Sequence, residues 1–284
     1  MYSECIRFYR VCDEYLQQKG FRDDPQARMT TTEVFLTALV AAWCFANNLR
    51  AARKMLALSG LVPYMLSESR LNRRWHQISN EDWQGVLTLL AQQYPADTFL
   101  VDSCPFAVCH NARAKRSRLY QDADNAYWGY CASKEEYFYG LRAHVIVTPT
   151  GRPVEVLLLC GCSHDLTGLK EMDIALPKGS RLIGDKAYTD YKYEEQLLRE
   201  RQIALLPLRK GIHKRQHAPE VKKAIRRARK RIETTFSEIT AKLPRRLHAV
   251  TPEGFESKIM AIFVAFAILA AQKEKTVDEQ RVAS

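Results

Sequence analysis

Apolar residues recur at helical spacing through the first 95 positions, and the period then changes. Leu71, Trp75 and Ile78 fall at i, i+4 and i+7, leaving Arg70, Arg73, Arg74 and Gln77 on the opposite side. Ser69 is the expected cap of that helix. The run Val34 to Ala46 is apolar nearly all round, as in a central helix, and Thr30 with Glu33 forms a capping box before it. Asn80, Glu81 and Asp82 open a further helix that turns Trp83, Leu87 and Leu90 inward. Pro95 ends this all-helical region.

Short apolar runs bounded by turn residues follow. Thr98 to Ser103 is an expected strand; Tyr139 to Thr148 and Val154 to Cys160 flank the turn PTGRP as a hairpin; Arg181 to Ile183 and Ile203 to Pro207 are two more strands. Helices are expected after Asp165 (Leu166, Leu169, Met172 apolar), over Tyr191 to Glu200, and from about Pro219, where Ile225, Ala228, Ile232, Phe236, Ile239 and Leu243 form one stripe. The alternation predicts an α/β domain with five strands. Residues 111–138 are a long insertion, basic at the start (Arg113, Lys115, Arg116, Arg118) and aromatic later (Tyr120, Tyr127, Trp128, Tyr130), with no legible fold. The apolar run Ile259 to Ala271 is 13 residues long. A bilayer span needs roughly 20, so it reads as a core helix. The expected organisation is a helical domain over 1–95, an α/β domain over 96–250, and a core helix with a tail over 251–284.

With 12 Gly and 11 Pro in 284 residues, the chain is not of low complexity. Its eight cysteines lack a paired C-x-x-C framework and read as small buried hydrophobes. Cys160 and Cys162 are the one pair that hints at zinc, and two thiols do not make a zinc site. The N-terminus, MYSECIRFYR, has charges and no apolar signal core, which predicts a cytoplasmic protein without a membrane partner.

Charge narrows the function. Formal net charge is +11, and between Arg209 and Arg231 eleven Lys and Arg stand against one acid, Glu220. Holding such a run together favours a polyanion, and nucleic acid is the obvious one. The Arg70, Arg73, Arg74 face suits a helix in a DNA groove as well as it suits solvent.

Three acids are the candidate chemistry. Asp102 ends an apolar strand, and Asp185 stands in the same relation to the strand Arg181 to Ile183, after a Gly184 that permits close approach of another backbone. Neighbouring strand ends would place the two carboxylates together, where repulsion favours a divalent cation between them. Oxygen ligands suit Mg²⁺ or Mn²⁺. Glu233 flanks the buried stripe of the basic helix and shares a face with Arg226, Arg229 and Lys230. Glu238 lies about 140° further round that helix and competes less well. His144 reads as a satisfied strand histidine beside Arg142, and Asp165 as a helix cap.

In this order the residues resemble a known family. VDS on the first strand, GDKAY after the fourth and RIETTFS on the following basic helix are similar to the DDE transposases of bacterial insertion sequences. SRLNRRWHQI, SKEEYFYGLRAH and GCSHDLTGL resemble the group called insertion-sequence family nine-eighty-two, over about residues 5–270. In the related Tyr, Arg, Glu, Lys signature, Arg229 and Glu233 fit, whereas Arg226 and Thr240 stand where Tyr and Lys would be. The resemblance implies a ribonuclease-H-like mixed five-stranded sheet flanked by helices, preceded by an all-helical DNA-binding domain. It also implies metal-dependent cleavage and strand transfer at element ends, with Asp102, Asp185 and Glu233 holding two Mg²⁺ or Mn²⁺ ions. Arg226, Arg229, Lys230, Lys186 and Arg142 are the expected phosphate contacts in that domain, and Arg70, Arg73 and Arg74 those of the helical one. The implied partners are double-stranded DNA, both terminal repeats and target, and a second copy of the chain, in a nucleoid-associated protein. An inactive DNA-binding remnant and a general Mg²⁺-dependent nuclease are the competing readings.

Overall fold

The computed structural model describes residues 1–121, 125–132, 134–212, 215–244 and 247–282, with side chains through 274. Lys214 of the basic run lies outside them. The chain divides into two compact units, Met1–Gln93 with Ile239–Ser284, and Tyr94–Glu238.

The first unit is helical: α1 (Tyr2–Gln18), α2 (Thr31–Cys44), α3 (Leu49–Leu58), α4 (Glu68–Trp75), α5 (Asn80–Gln93) and, from the far end of the chain, α9 (Pro252–Val282). The capping box of α2 is present, with Thr30 accepting from the Glu33 N–H and Glu33 from the Thr30 N–H. Ten of its 14 residues are buried, because α1, α3 and α9 pack around it. The helix α4 is capped at Ser67, one residue before Glu68 and two before the expected Ser69, without a side-chain cap bond. Helix α9 is apolar and long enough to cross a membrane by composition, yet 78% of its apolar window is buried within the structure. It packs on α2 and α5, and its Ser257 hydroxyl accepts from the indole N–H groups of Trp75 (2.7 Å) and Trp83 (3.1 Å). This satisfies both indole donors inside the core.

The second unit carries β1 (Thr98–Cys109), β2 (Trp128–Cys131), β3 (Glu136–Val147), β4 (Pro153–Cys160), α6 (Asp165–Glu171), β5 (Arg181–Gly184), α7 (Tyr191–Arg201), β6 (Ala204–Pro207) and most of α8 (Pro219–Thr240). The sheet runs β2-β3-β1-β5-β6, with β4 also on β3. β1, β3 and β4 pair antiparallel, and β1, β5 and β6 parallel. It has six strands where five were expected. The sixth, β2, lies in the insertion: Trp128 pairs with Tyr139 and Cys131 with Glu136. Its residues, WGYC, lack the apolar run that marks the equally short β5 and β6. Gly151 (φ +91) makes the β3–β4 turn in the left-handed region. It accepts from the Thr235 hydroxyl at 3.1 Å, which with the burial of Ile225 and Ile232 seats α8 on this unit.

Candidate active site

The register of the parallel strands brings two of the predicted acids together. Leu100 pairs with Ile183 at the end of the β1–β5 ladder, and Asp102 and Asp185 each lie two residues beyond. Both are half-buried. Burial pushes the Asp102 carboxyl up to about 7; the charges of Asp185 and Asp165 add to this, and the Ser103 N–H and the Arg229 guanidinium oppose it. The Ser103 N–H donates to Asp102 Oδ1 at 2.8 Å. Asp185 accepts from the Ala187 N–H at 2.7 Å, capping a 3₁₀ turn, Lys186–Tyr188, that leaves Lys186 exposed. Gly184 gives its space to a ring, not to a backbone: a Cβ there would meet Tyr188 atoms at 2.8 to 3.1 Å.

Asp165 is the acid that the sequence misplaced. The N-cap of α6 is His164, and Asp165 is the first helical residue. Its carboxylate accepts from Ser103 Oγ at 2.5 Å instead of capping the helix. Arg142 extends that contact, with Nη1 reaching Ser103 Oγ at 3.3 Å, Nε the Gly161 carbonyl at 3.3 Å and Nη2 the Tyr130 carbonyl at 2.9 Å. His144 is fully buried, and neither ring nitrogen has a hydrogen-bond partner among the described residues. It is not the satisfied histidine expected. Burial lowers its pKa to about 4, which keeps the ring neutral. Gly168 of α6 packs against the ring, where a Cβ would meet its atoms at 2.2 to 2.4 Å.

Glu233 is not assembled with the aspartates. Its side chain is 61% exposed and lies 3.8 Å from Arg229 Nη2 in an i,i+4 pair. Arg229 is the link, since the same guanidinium acts on Asp102. Among the described residues no three His, Cys, Asp or Glu converge to hold one ion. Asp102 and Asp185, half-buried and repelling one another, fit a divalent cation by charge.

The predicted basic residues separate by what they already hold. Arg226 and Lys230 on α8 are exposed, as are Arg70 and Arg73 on α4. Arg74 is committed within the helical unit, to Asp23 Oδ1 (3.0 Å), Thr31 Oγ1 (2.8 Å) and the Met29 carbonyl (2.9 Å). The aromatic residues of the insertion pack on one another and on β3: Tyr120 stacks on Tyr127 at 4.1 Å and Trp128 tilts against Tyr139 at 5.5 Å.

A family model described as a transposase DDE domain matches residues 93–268, more than half of the chain. The chain belongs to the DDE transposase family. No curated protein and no solved structure matches. Membership makes this DDE transposase a DNA-acting transposition enzyme of a family that uses divalent metals. The matched span includes Asp102, Asp165, Asp185 and Glu233.

Proposed function

We propose that this transposase cleaves DNA strands at the ends of its element and joins them to target DNA, with Asp102, Asp185 and Glu233 as its three acids. The observation that carries the reading is the matched level of Asp102 and Asp185 on adjacent parallel strands. One or two Mg²⁺ or Mn²⁺ ions there would supply Lewis acidity at the phosphoryl group and stabilise the attacking and leaving oxygens. Asp102 and Asp185 would be ligands of the cation. Glu233 would be the third once it leaves Arg229, a pair worth at most about 0.5 kcal/mol on an exposed helix face. Released from that pair, Arg229 joins Arg226, Lys230 and Lys186 in holding phosphates, so the same helix carries an acid for the cation and cations for the DNA. Arg142, already bonded to three protein oxygens, orients Ser103 and hence the β1 end of the site. Each DNA end needs one such site, so the active species holds at least two copies of the chain.

The test uses the purified full chain, a duplex bearing the element's terminal repeats, and Mg²⁺. Nicked products and then joined products are expected with Mg²⁺, and intact duplex in EDTA. Cleavage of unrelated duplex at the same rate without joining would identify a general nuclease. Tight binding with no cleavage in either Mg²⁺ or Mn²⁺ would identify an inactive remnant.

A further inference from the structure

We propose that Asp165, bonded to Ser103 one residue from Asp102, is a fourth carboxylate of the cation site and raises its affinity for divalent ions. The inference rests on Asp102 and Asp185 being the cation-holding pair. Ser103 joins two acids: its backbone N–H donates to Asp102 Oδ1 at 2.8 Å, and its hydroxyl donates to Asp165 Oδ1 at 2.5 Å. That hydroxyl has one proton, so the approach of Arg142 Nη1 at 3.3 Å finds its lone pair. Arg142 therefore polarises the Ser103 hydroxyl toward Asp165 without pairing with the carboxylate itself. Among the described residues Asp165 makes no ion pair, so its charge is free to act on the site.

A second group points to the same place. The Tyr188 hydroxyl is fully buried and has no partner among the described residues. Burial raises its pKa, and the charges of Asp165, Asp102 and Asp185 raise it further, so all three act on this one orphaned donor. A buried donor left without a partner is costly. Water in the shell of a bound cation, or a carboxylate drawn inward by it, would satisfy that hydroxyl.

Packing, not capping, fixes Asp165 here. A Cβ on Gly168 would lie 2.2 Å from His144 Nδ1, so α6 can approach β3 this closely only with glycine. Gly168 sits three residues after Asp165, under one turn along the helix. The fold thus holds a third aspartate beside two that repel it, an arrangement that a divalent cation turns from a cost into a gain.

Mn²⁺ titration of the full chain, read by calorimetry without DNA, tests the proposal on the parent, Asp165→Asn, Asp165→Glu, Asp102→Asn and Asp185→Asn. Asparagine keeps an oxygen for Ser103 and removes the charge. Asp165→Asn is expected to weaken Mn²⁺ binding about tenfold, with Asp165→Glu recovering most of it. Parent-like affinity in Asp165→Asn, while Asp102→Asn and Asp185→Asn lose binding, overturns the role of Asp165 and leaves the aspartate pair standing. Unchanged affinity in all variants overturns both. If Asp165→Asn does not fold, as judged by its circular dichroism and melting, Asp165→Glu decides. Folded Asp165→Glu with Mn²⁺ affinity lowered by less than about tenfold supports the proposal, because the charge survives the change of length. Loss of binding by that folded, still anionic variant overturns it.

Discussion

The contact between Gly168 and His144 sets the position of α6, and one methyl group at Gly168 tests how firmly. The Cβ of alanine would lie 2.2 Å from Nδ1, 2.3 Å from Cε1 and 2.4 Å from Cγ of the His144 ring. Unstrained carbon contacts lie at about 3.5–4.0 Å, so ring and helix must part by more than about 1 Å. The ring is fully buried and cannot move away cheaply. Overpacking of this kind costs about 1–3 kcal/mol, and three simultaneous clashes put Gly168→Ala at the upper end. Alanine returns about 1 kcal/mol in helix propensity, for a net loss of about 2 kcal/mol. At about 2–4 °C per kcal/mol, the melting temperature should fall by about 4–8 °C. Removing the ring removes the clash, so in His144→Ala the same glycine change should become neutral or stabilising. A urea-unfolding double-mutant cycle would then give a coupling of about 2–3 kcal/mol. Displacing α6 also breaks the 2.5 Å bond from Ser103 to Asp165, so cleavage should fall with stability in Gly168→Ala. Additive single and double variants, or a Gly168→Ala protein as stable as the parent, would refute the packing argument.

Arg209 and Glu194 form a buried bidentate pair (2.5 and 3.2 Å, side chains 5% and 10% exposed), so Glu194→Ala should cost about 3–5 kcal/mol in urea unfolding by stranding the guanidinium. A loss under about 1 kcal/mol would show that the arginine finds another partner or water. Burial, aided by Asp173 and opposed by the Ala175 N–H and Arg201, raises the Glu155 pKa from its ordinary 4.5 to about 8. The unfolded chain ionises first, so the stability tied to neutral Glu155 is complete below about pH 4.5 and is lost as pH rises to about 8. The loss is on the order of 4–5 kcal/mol by that linkage, and Glu155→Gln should flatten the profile; equal pH slopes in both proteins would contradict it. Arg226→Ala with Lys230→Ala should weaken binding to any duplex and lower the slope of log affinity against log salt by about 2, measured by anisotropy. An unchanged slope would remove α8 from the DNA contact.

The helical face of α4 was legible from its period, the capping box of α2 from its residue types, and the other five strands from apolar runs bounded by turn residues. Strand β2 was not, since Trp128–Cys131, no shorter than β5 or β6, alternates Gly and Cys with aromatics inside a long insertion. The acids divide in the same way. Asp102 and Asp185 each follow a short apolar run, and the parallel β1–β5 register aligns them, although β1 continues past Asp102 to Cys109. Asp165 precedes a helix, where local rules favour capping, and only the Ser103 hydroxyl 62 residues earlier in the chain redirects it. Glu233 shows the opposite limit. Its helix and face were readable, but its side chain pairs with Arg229 one turn away and not with the aspartates.

Anomalous scattering from crystals of the full chain grown with Mn²⁺ shows whether these acids hold the metal. Manganese is expected between Asp102 and Asp185, with the Glu233 carboxylate turned from Arg229 toward it. Manganese bound elsewhere, or these acids left unliganded at saturating Mn²⁺, would contradict that assignment.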